Sequence, residues 1–485
     1  MTSPTVPIDQ FLQPLHVDVD GIYELSQLFL SNFDDLAAHS ESQFLPTPIS
    51  DSILRPVSIS NKDAYHLAID IGGTNLRVGF VQRLGKQAPS DGENGTPPRT
   101  RRLLEQHWSI DEHLKNDNAE KLFAWIGKCI ATVVEEGCSQ LEVSREKALD
   151  LGVTFSFPME QTSLSEARLM TMGKGFAVSA NVDLGSRLLD GYNNSRGDRL
   201  PPMRIAAIAN DSVSTLVSFI YEFDESVKKR ASMGLILGTG CNATIPLKLS
   251  QLKPSKRPAN VSLLPGERVD DVKVAINTEW SINGSVPPLR KMNLISRWDE
   301  VVDSHNETPG FQPMEYMTAG RYLGELGRVV FVDFLTSVRG VPEKDIPERL
   351  LQPYGMSTSF LSHFKPLEPR LLLQQLEKAF PTDKGTHGIS WTEELAVFLF
   401  KIAKAIEVRA AGIVAAATVA LLTLGGELPQ DYLTDCQSFI DQLLARIFGN
   451  GQSPAKVVLS PCHNGGVIGA GILVAAASAS ESAQV

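Results

Sequence analysis

Two apolar runs, residues 65–71 and 76–81, are separated by Gly72-Gly73-Thr74-Asn75, with Asp70 closing the first run and Arg77 lying in the second. No other feature restricts the fold of the chain as strongly. The spacing predicts strand, turn, strand. Glycine lets the backbone come close to a ligand. A carboxylate at a strand end beside free N–H groups can hold Mg²⁺ against a phosphate. Taken alone, the segment is better explained as a plain hairpin turn with a capping Asp. A second turn of the same kind, Gly238-Thr239-Gly240-Cys241-Asn242, follows the apolar run 233–237. Together the two turns suggest two related halves, each a sheet with flanking helices, clamping a nucleotide.

Periodicity around these turns predicts a mixed α/β chain. Ile22, Leu25, Leu28, Phe29, Phe33 and Leu36 recur at helical spacing. A Pro/Ser-rich connection follows to about residue 61, and 85–102 reads as an exposed loop. Further strands are expected at 103–110, 149–155, 203–209, 243–247 and 457–459. Helices are expected at 119–140, 212–221, 313–338, 392–423 and from 467 onward. The most apolar stretch, 410–425, falls short of the ~20 residues that span a bilayer and reads as a buried helix.

Composition constrains function more than fold. At 485 residues the chain is expected to form about three units or two large domains. A content of 42% hydrophobic and 21% charged residues argues for a sizeable core and against disorder. A net charge of −11 without a basic run disfavours nucleic-acid contact, which needs clustered Lys and Arg. The five cysteines are irregularly spaced. They fit reduced thiols better than a disulfide framework or a zinc site. No basic residue precedes Arg55, so a charged signal start is not expected and the expected location is cytoplasmic. The fingerprints of P-loop kinases, Rossmann dehydrogenases, α/β-hydrolases and zincins are missing.

Isolated carboxylates supply the remaining chemistry. Asn210-Asp211 closes the apolar run 205–209. The Asp there is either a helix cap or a general base, since phosphoryl transfer to an alcohol needs a carboxylate to take the hydroxyl proton. Glu279 in Asn277-Thr-Glu-Trp280 and Glu315 in Pro309-Gly-Phe-Gln-Pro-Met-Glu315 are surface residues on a bland reading, and acceptors for a polyol on a functional one.

In order along the chain, these segments resemble the hexokinase family. Asp70–Arg77 is similar to its first phosphate turn. Leu151-Gly-Val-Thr-Phe-Ser-Phe-Pro158 with Lys174-Gly-Phe176 resembles its sugar signature. Ala209-Asn-Asp211 resembles the segment of its catalytic Asp, and Leu237-Gly-Thr-Gly-Cys-Asn-Ala243 its second phosphate turn. The segments carrying Glu279 and Glu315 resemble its two sugar-binding Glu segments, with Tyr322-Leu-Gly-Glu325 and Thr358-x-Phe-Leu-Ser362 as further landmarks. The likeness begins near residue 15 and covers nearly the whole chain.

The resemblance implies an α/β chain of actin-like ATPase (ribonuclease H-like) fold, with two domains flanking a central cleft. It implies an N-terminal helix and linker over 1–60, a small domain over 61–209 and a large domain over 210–485, the C-terminal helix returning to the small one. It implies ATP-dependent phosphorylation of a hexose such as glucose on its 6-hydroxyl, with Asp211 as base and Lys174 balancing charge. Ser156, Lys174, Asn210, Asp211, Asn242, Glu279 and Glu315 would hold the sugar. Asp70, Gly72, Gly73, Thr74, Asn75, Arg77, Thr239 and Gly240 would serve ATP and Mg²⁺, with Asp70 at the metal. The chain departs from the family pattern at several positions. Met172-Gly173 stands for a Trp-Thr pair, Ser281 for a Gly and Tyr316 for a Lys. Leu424-Gly-Gly-Glu-Leu-Pro429 stands for an Asp-Gly-Ser turn, and Gly466 for a Ser near ATP. Weaker nucleotide binding is therefore expected. The alternative function is a catalytically weak or inactive glucose sensor with protein partners.

Overall fold

A computed structural model describes residues 7–50, 65–84, 99–111, 113–114, 119–170, 181–222, 230–261, 263, 266–364, 368–382, 388–428, 457–460, 462 and 464–482. Within these, the expected hairpin forms first. After an edge strand β1 (Leu45–Ser50) come β2 (Tyr65–Ile71) and β3 (Asn75–Arg83), paired antiparallel from Tyr65↔Gln82 to Ile71↔Leu76. β4 (Thr100–Ser109) adds antiparallel to β3. β5 (Leu149–Phe155) lies parallel to β2 on its other side. A small hairpin, β6 (Met159–Ser163) and β7 (Glu166–Leu169), precedes β8 (Met203–Ala209), which is parallel to β5. The five-stranded order is β4-β3-β2-β5-β8. A second sheet has the order β1-β11-β10-β9, from β9 (Gly234–Leu237), β10 (Cys241–Lys248) and β11 (Lys273–Asn277).

The chain forms two compact units. The first comprises Met1–Asp35, Leu237–Cys241 and Trp280–Leu459; the second comprises Leu36–Ile236, Asn242–Glu279 and Ser460–Val485. The expected boundary between 209 and 210 falls inside the second unit, at the turn from β8 into the helix Asp211–Glu222. In that unit the helix Ala119–Gln140 supplies Phe123, Ile126, Ile130 and Val134 to a core shared with β2, β3 and β5. The C-terminal helix Gly465–Ser482 packs against β2, β5 and the helix Asp211–Glu222, placing Val467 and Ala470 on Ala68 and Val81. Its contact is close because its glycines leave no room for side chains. A Cβ on Gly469 would stand 2.1 Å from the Ser214 carbonyl oxygen.

The first unit is mainly helical. Its long helix, Glu393–Leu424, is apolar enough by length and composition to cross a membrane, yet its residues from Ile413 to Leu422 are buried within the protein. A bidentate pair between Arg409 and Asp299 (2.7 Å at both oxygens) is also buried there. The helix expected over 313–338 is broken. Pro313–Thr318 ends at Ala319, whose ψ of 147° is extended, and Gly320–Asp333 starts afresh before a wider turn over Phe334–Val338. Residues 457–459, expected as a strand, form no element.

Candidate active site

The parallel strands of the second unit set the site. Because Asp70 pairs in register with Thr154, and Thr154 with Ala209, the ends of β2, β5 and β8 emerge together. Ligands of α/β sheets sit at such carboxyl ends. Asp70 and the glycine turn leave β2 there, Ser156 leaves β5 and Asn210-Asp211 leaves β8. The Ser156 N–H donates to the Ile71 carbonyl at 3.0 Å, which ties it to the turn.

The turn is closed by the Gly72 N–H donating to the Asn75 carbonyl at 2.9 Å, and Asn75 Nδ2 donates to Thr74 Oγ1 at 2.9 Å. Thr74 is exposed and Gly73 buried. Arg77 Nη1 donates to Asp70 Oδ2 at 2.9 Å. Burial, then the charge of Asp211, pushes the Asp70 carboxyl up to about 6 against the opposing pull of Arg77. Glu105 adds to this negative field, and its Oε2 is buried without a hydrogen-bond partner. The start of the C-terminal helix lies against the same carboxylate. A Cβ on Gly466, where the resemblance implies Ser, would stand 2.6 Å from Asp70 Cγ. The Gly466 carbonyl instead accepts from Thr154 Oγ1 at 2.8 Å.

Asn210 and Asp211 share the Ser212 N–H at the start of the helix that follows β8, Asp211 Oδ1 accepting it at 2.8 Å. Asn210 Oδ1 accepts from the Ser212 N–H at 2.9 Å and from Ser212 Oγ at 2.7 Å. Asp211 is the first helical residue, where a carboxylate is favoured by the helix dipole. A chain of amides leads on from the cap. Asn242 Nδ2 reaches Asn210 Oδ1 at 3.3 Å, Asn277 Oδ1 at 2.8 Å and Glu279 Oε1 at 3.4 Å. Asn277 Nδ2 donates to Glu279 Oε1 at 2.9 Å. Glu279 is buried, and its φ of +45° is in the left-handed region that side chains rarely adopt. Such strain at one residue is held in place by its surroundings.

The first unit holds Thr239, Gly240 and Glu315. The Gly238 and Thr239 carbonyls accept from the first backbone N–H groups of the helix Gly320–Asp333, at 2.7 and 3.4 Å. Glu315 is 2% exposed. Its Oε2 accepts from the Cys241 N–H at 3.1 Å and from Ser281 Oγ at 3.5 Å, while Oε1 is buried with no partner. Tyr316, where the resemblance implies Lys, packs edge-on to Tyr322 with ring centroids 4.8 Å apart.

Asp70, Ser156, Asn210, Asp211, Asn242 and Glu279 thus belong to one unit, as do the residues of the glycine turn 72–75 and Arg77. Lys174 lies outside the described residues. Asn277, quoted within a motif but given no role, proves to be central to the amide chain. Gln43, unmarked by any sequence signal, donates through Nε2 to the Glu279 carbonyl at 2.9 Å.

This architecture is the actin-like ATPase fold, shared with sugar kinases. Hexokinase family models match residues 7–221 and 232–476, and the chain belongs to the hexokinase family. Hexokinase-1 of Schizosaccharomyces pombe is 28% identical over 432 residues, which is 86% of this chain and 80% of that protein. The hexokinase of Kluyveromyces lactis is 29% identical over 345 residues, 71% of this chain but only 64% of that relative. A solved hexokinase from Schistosoma mansoni complexed with glucose superimposes with a TM-score of 0.74 at 22% identity, covering 97% of this chain and 98% of that one.

Proposed function

We propose that the chain transfers the terminal phosphoryl group of ATP to the 6-hydroxyl of a hexose, glucose being the first candidate, in the cytoplasm. The observation that carries this reading is the arrangement at the end of β8. The Ser212 N–H is met by Asn210 Oδ1 as well as by Asp211 Oδ1, so the helix start keeps an acceptor when the Asp211 carboxylate turns to a substrate. Asp211 is suited to remove the hydroxyl proton, a step typically worth 10²–10⁴-fold. Ser156, Asn210, Asn242 and Glu279 orient the sugar, with Lys174 assigned by resemblance. Glu315 is a further acceptor whose buried Oε1 suits a hydroxyl donor. Positioning of this kind supplies much of the catalysis in phosphoryl transfer.

The residues also fit Mg²⁺. No group of three or more metal-ligating side chains occurs among the described residues, but Mg²⁺ usually takes one or two carboxylates and completes its shell with water and phosphate oxygens. Asp70, crowded by the charges of Asp211 and Glu105, would hold it. When bound, the ion neutralises charge on the transferring phosphates. The turn 72–75, Arg77, Thr239 and Gly240 are assigned to the phosphates. An assay coupled to hexose 6-phosphate formation, with Asp211→Ala as control, tests the reading. Turnover retained in the variant would remove Asp211 from its role.

A second reading, a sugar sensor with weak turnover, is favoured by Gly466, which lacks a hydroxyl and has no space for one as packed. Calorimetry of MgATP and glucose separates the two. Glucose binding with an ATP affinity far weaker than that of an ordinary hexokinase supports the sensor, and equal ATP affinity rules it out.

A further inference from the structure

Glu279 stands where a strand ends and its ladder ought to end with it. β11 is flanked by β10, with Thr244 opposite Asn277, and by β1, with Leu45 opposite Asn277. Beyond Asn277 both ladders continue for one rung. The Thr278 N–H donates to the Ala243 carbonyl at 3.0 Å, and the Phe44 N–H donates to the Thr278 carbonyl at 2.9 Å. The next residue, Glu279, turns to a φ of +45°. Its carbonyl is met by a side chain, Gln43 Nε2, at 2.9 Å. Gln43 is 1% exposed. Its own carbonyl is tied down in turn by Lys256 Nζ at 3.2 Å, and the same ammonium group holds the Leu36 carbonyl at 3.0 Å.

We infer that Gln43 is a positioning residue for hexose binding. Through its amide it fixes the left-handed backbone of Glu279, and Lys256 anchors the segment from which Gln43 projects. The argument has three parts. A left-handed backbone at a residue with a side chain persists only when its surroundings impose it. A buried carbonyl must find a donor. Gln43 supplies that donor at the carbonyl of the residue whose carboxylate ends the Asn210–Asn242–Asn277 chain. Without the amide, the peptide following Glu279 can rotate and carry the carboxylate off the sugar.

This rests on the proposed hexose kinase reading, and the test keeps the two apart. Gln43→Met preserves volume and removes the donor, while Gln43→Glu preserves shape and faces the carbonyl with an acceptor. The loss of one hydrogen bond corresponds to about a three- to tenfold change. We expect the hexose KM to rise by that factor in Gln43→Met and further in Gln43→Glu. The ATP KM and kcat should stay within about twofold and Tm nearly unchanged. Lys256→Met, altered at the half-buried end of the strap, should raise the hexose KM about twofold and keeps the test open if the Gln43 variants do not fold. A hexose KM unmoved in the folded variants overturns the inference. So does a uniform fall in kcat with a lowered Tm, which marks general damage. If the unaltered chain neither binds nor phosphorylates hexoses, the function reading fails first and takes this inference with it.

Discussion

Two clusters in the second unit differ in how they are organised. The amide chain Asn210–Asn242–Asn277–Glu279 is connected by protein hydrogen bonds at each link. The cluster around Asp70 is instead frustrated. Asp70, Asp211 and Glu105 bring three negative charges together against two positive ones, Arg77 on Asp70 and Arg102 on Glu105 Oε1, and the other Glu105 oxygen has no partner. The first cluster is preorganised, so a neutral polyol can bind without rearranging it. The second is short of positive charge, which is the condition a divalent cation relieves. On the proposed reading, the side that would take the polyol holds its shape and the side that would take the phosphates receives charge.

Asp211→Ala gives the sharpest break, because Asp211 is the proposed base and no link of the amide chain runs through it. Phosphoryl transfer should fall by 10²-fold or more, with glucose affinity within about tenfold. Stopped-flow assays and calorimetry on the one variant check both halves of this expectation. Asn242→Ala should do the reverse and act mainly on the sugar. It removes the donor shared by Asn210, Asn277 and Glu279, so glucose affinity should weaken about ten- to thirtyfold through unpaired acceptors, with MgATP affinity nearly unchanged.

Gly466→Ser probes the crowded side. Its Cβ must displace the Asp70 carboxylate, so the substitution should not restore nucleotide contact. MgATP should bind about fivefold more weakly, with glucose binding unaltered, and titration of each ligand decides it. A tighter MgATP complex would show that the carboxylate yields without cost. The smallest effect concerns pH. The Asp70 carboxyl is raised in the folded protein to about 6 from 3.8, so the native state binds more protons than the unfolded chain across that window. Stability without Mg²⁺ should therefore fall as pH rises from about 4 to 6. Asp70→Asn should flatten this dependence and raise Tm at pH 7 but not at pH 4, which thermal melts at both values would show.

Much of this was legible from local pattern. The hairpin at Asp70–Arg77, β5 and β8 follow from apolar runs and punctuation, and these carry the glycine turn and Asp211. What escaped is what depends on distant partners. β1 contains Pro46 and Pro48 and reads as a connection, yet prolines are tolerated on an edge strand. The break at Ala319 follows from the Gly238 and Thr239 carbonyls taking up the next N–H groups, a demand set some 80 residues upstream. The run 457–459 is apolar but forms no strand among the described residues, and Val458 is 55% exposed. Gln43 acts across 236 residues, and no spacing rule reaches that far.

The C-terminal helix has a consequence for how the protein is made. The sheet it covers is complete in sequence by Ala209, but the helix begins only at Gly465. At about 5–20 residues per second, a ribosome leaves one face of that sheet uncovered for tens of seconds after its last strand has emerged. During that interval the nascent sheet has Ala68 and Val81 exposed where Val467 and Ala470 will later sit. Synthesis of this chain should therefore depend on chaperones that shield apolar surface, and ribosomes stalled shortly before codon 465 should display a protease-sensitive first half that becomes resistant once the helix has been released.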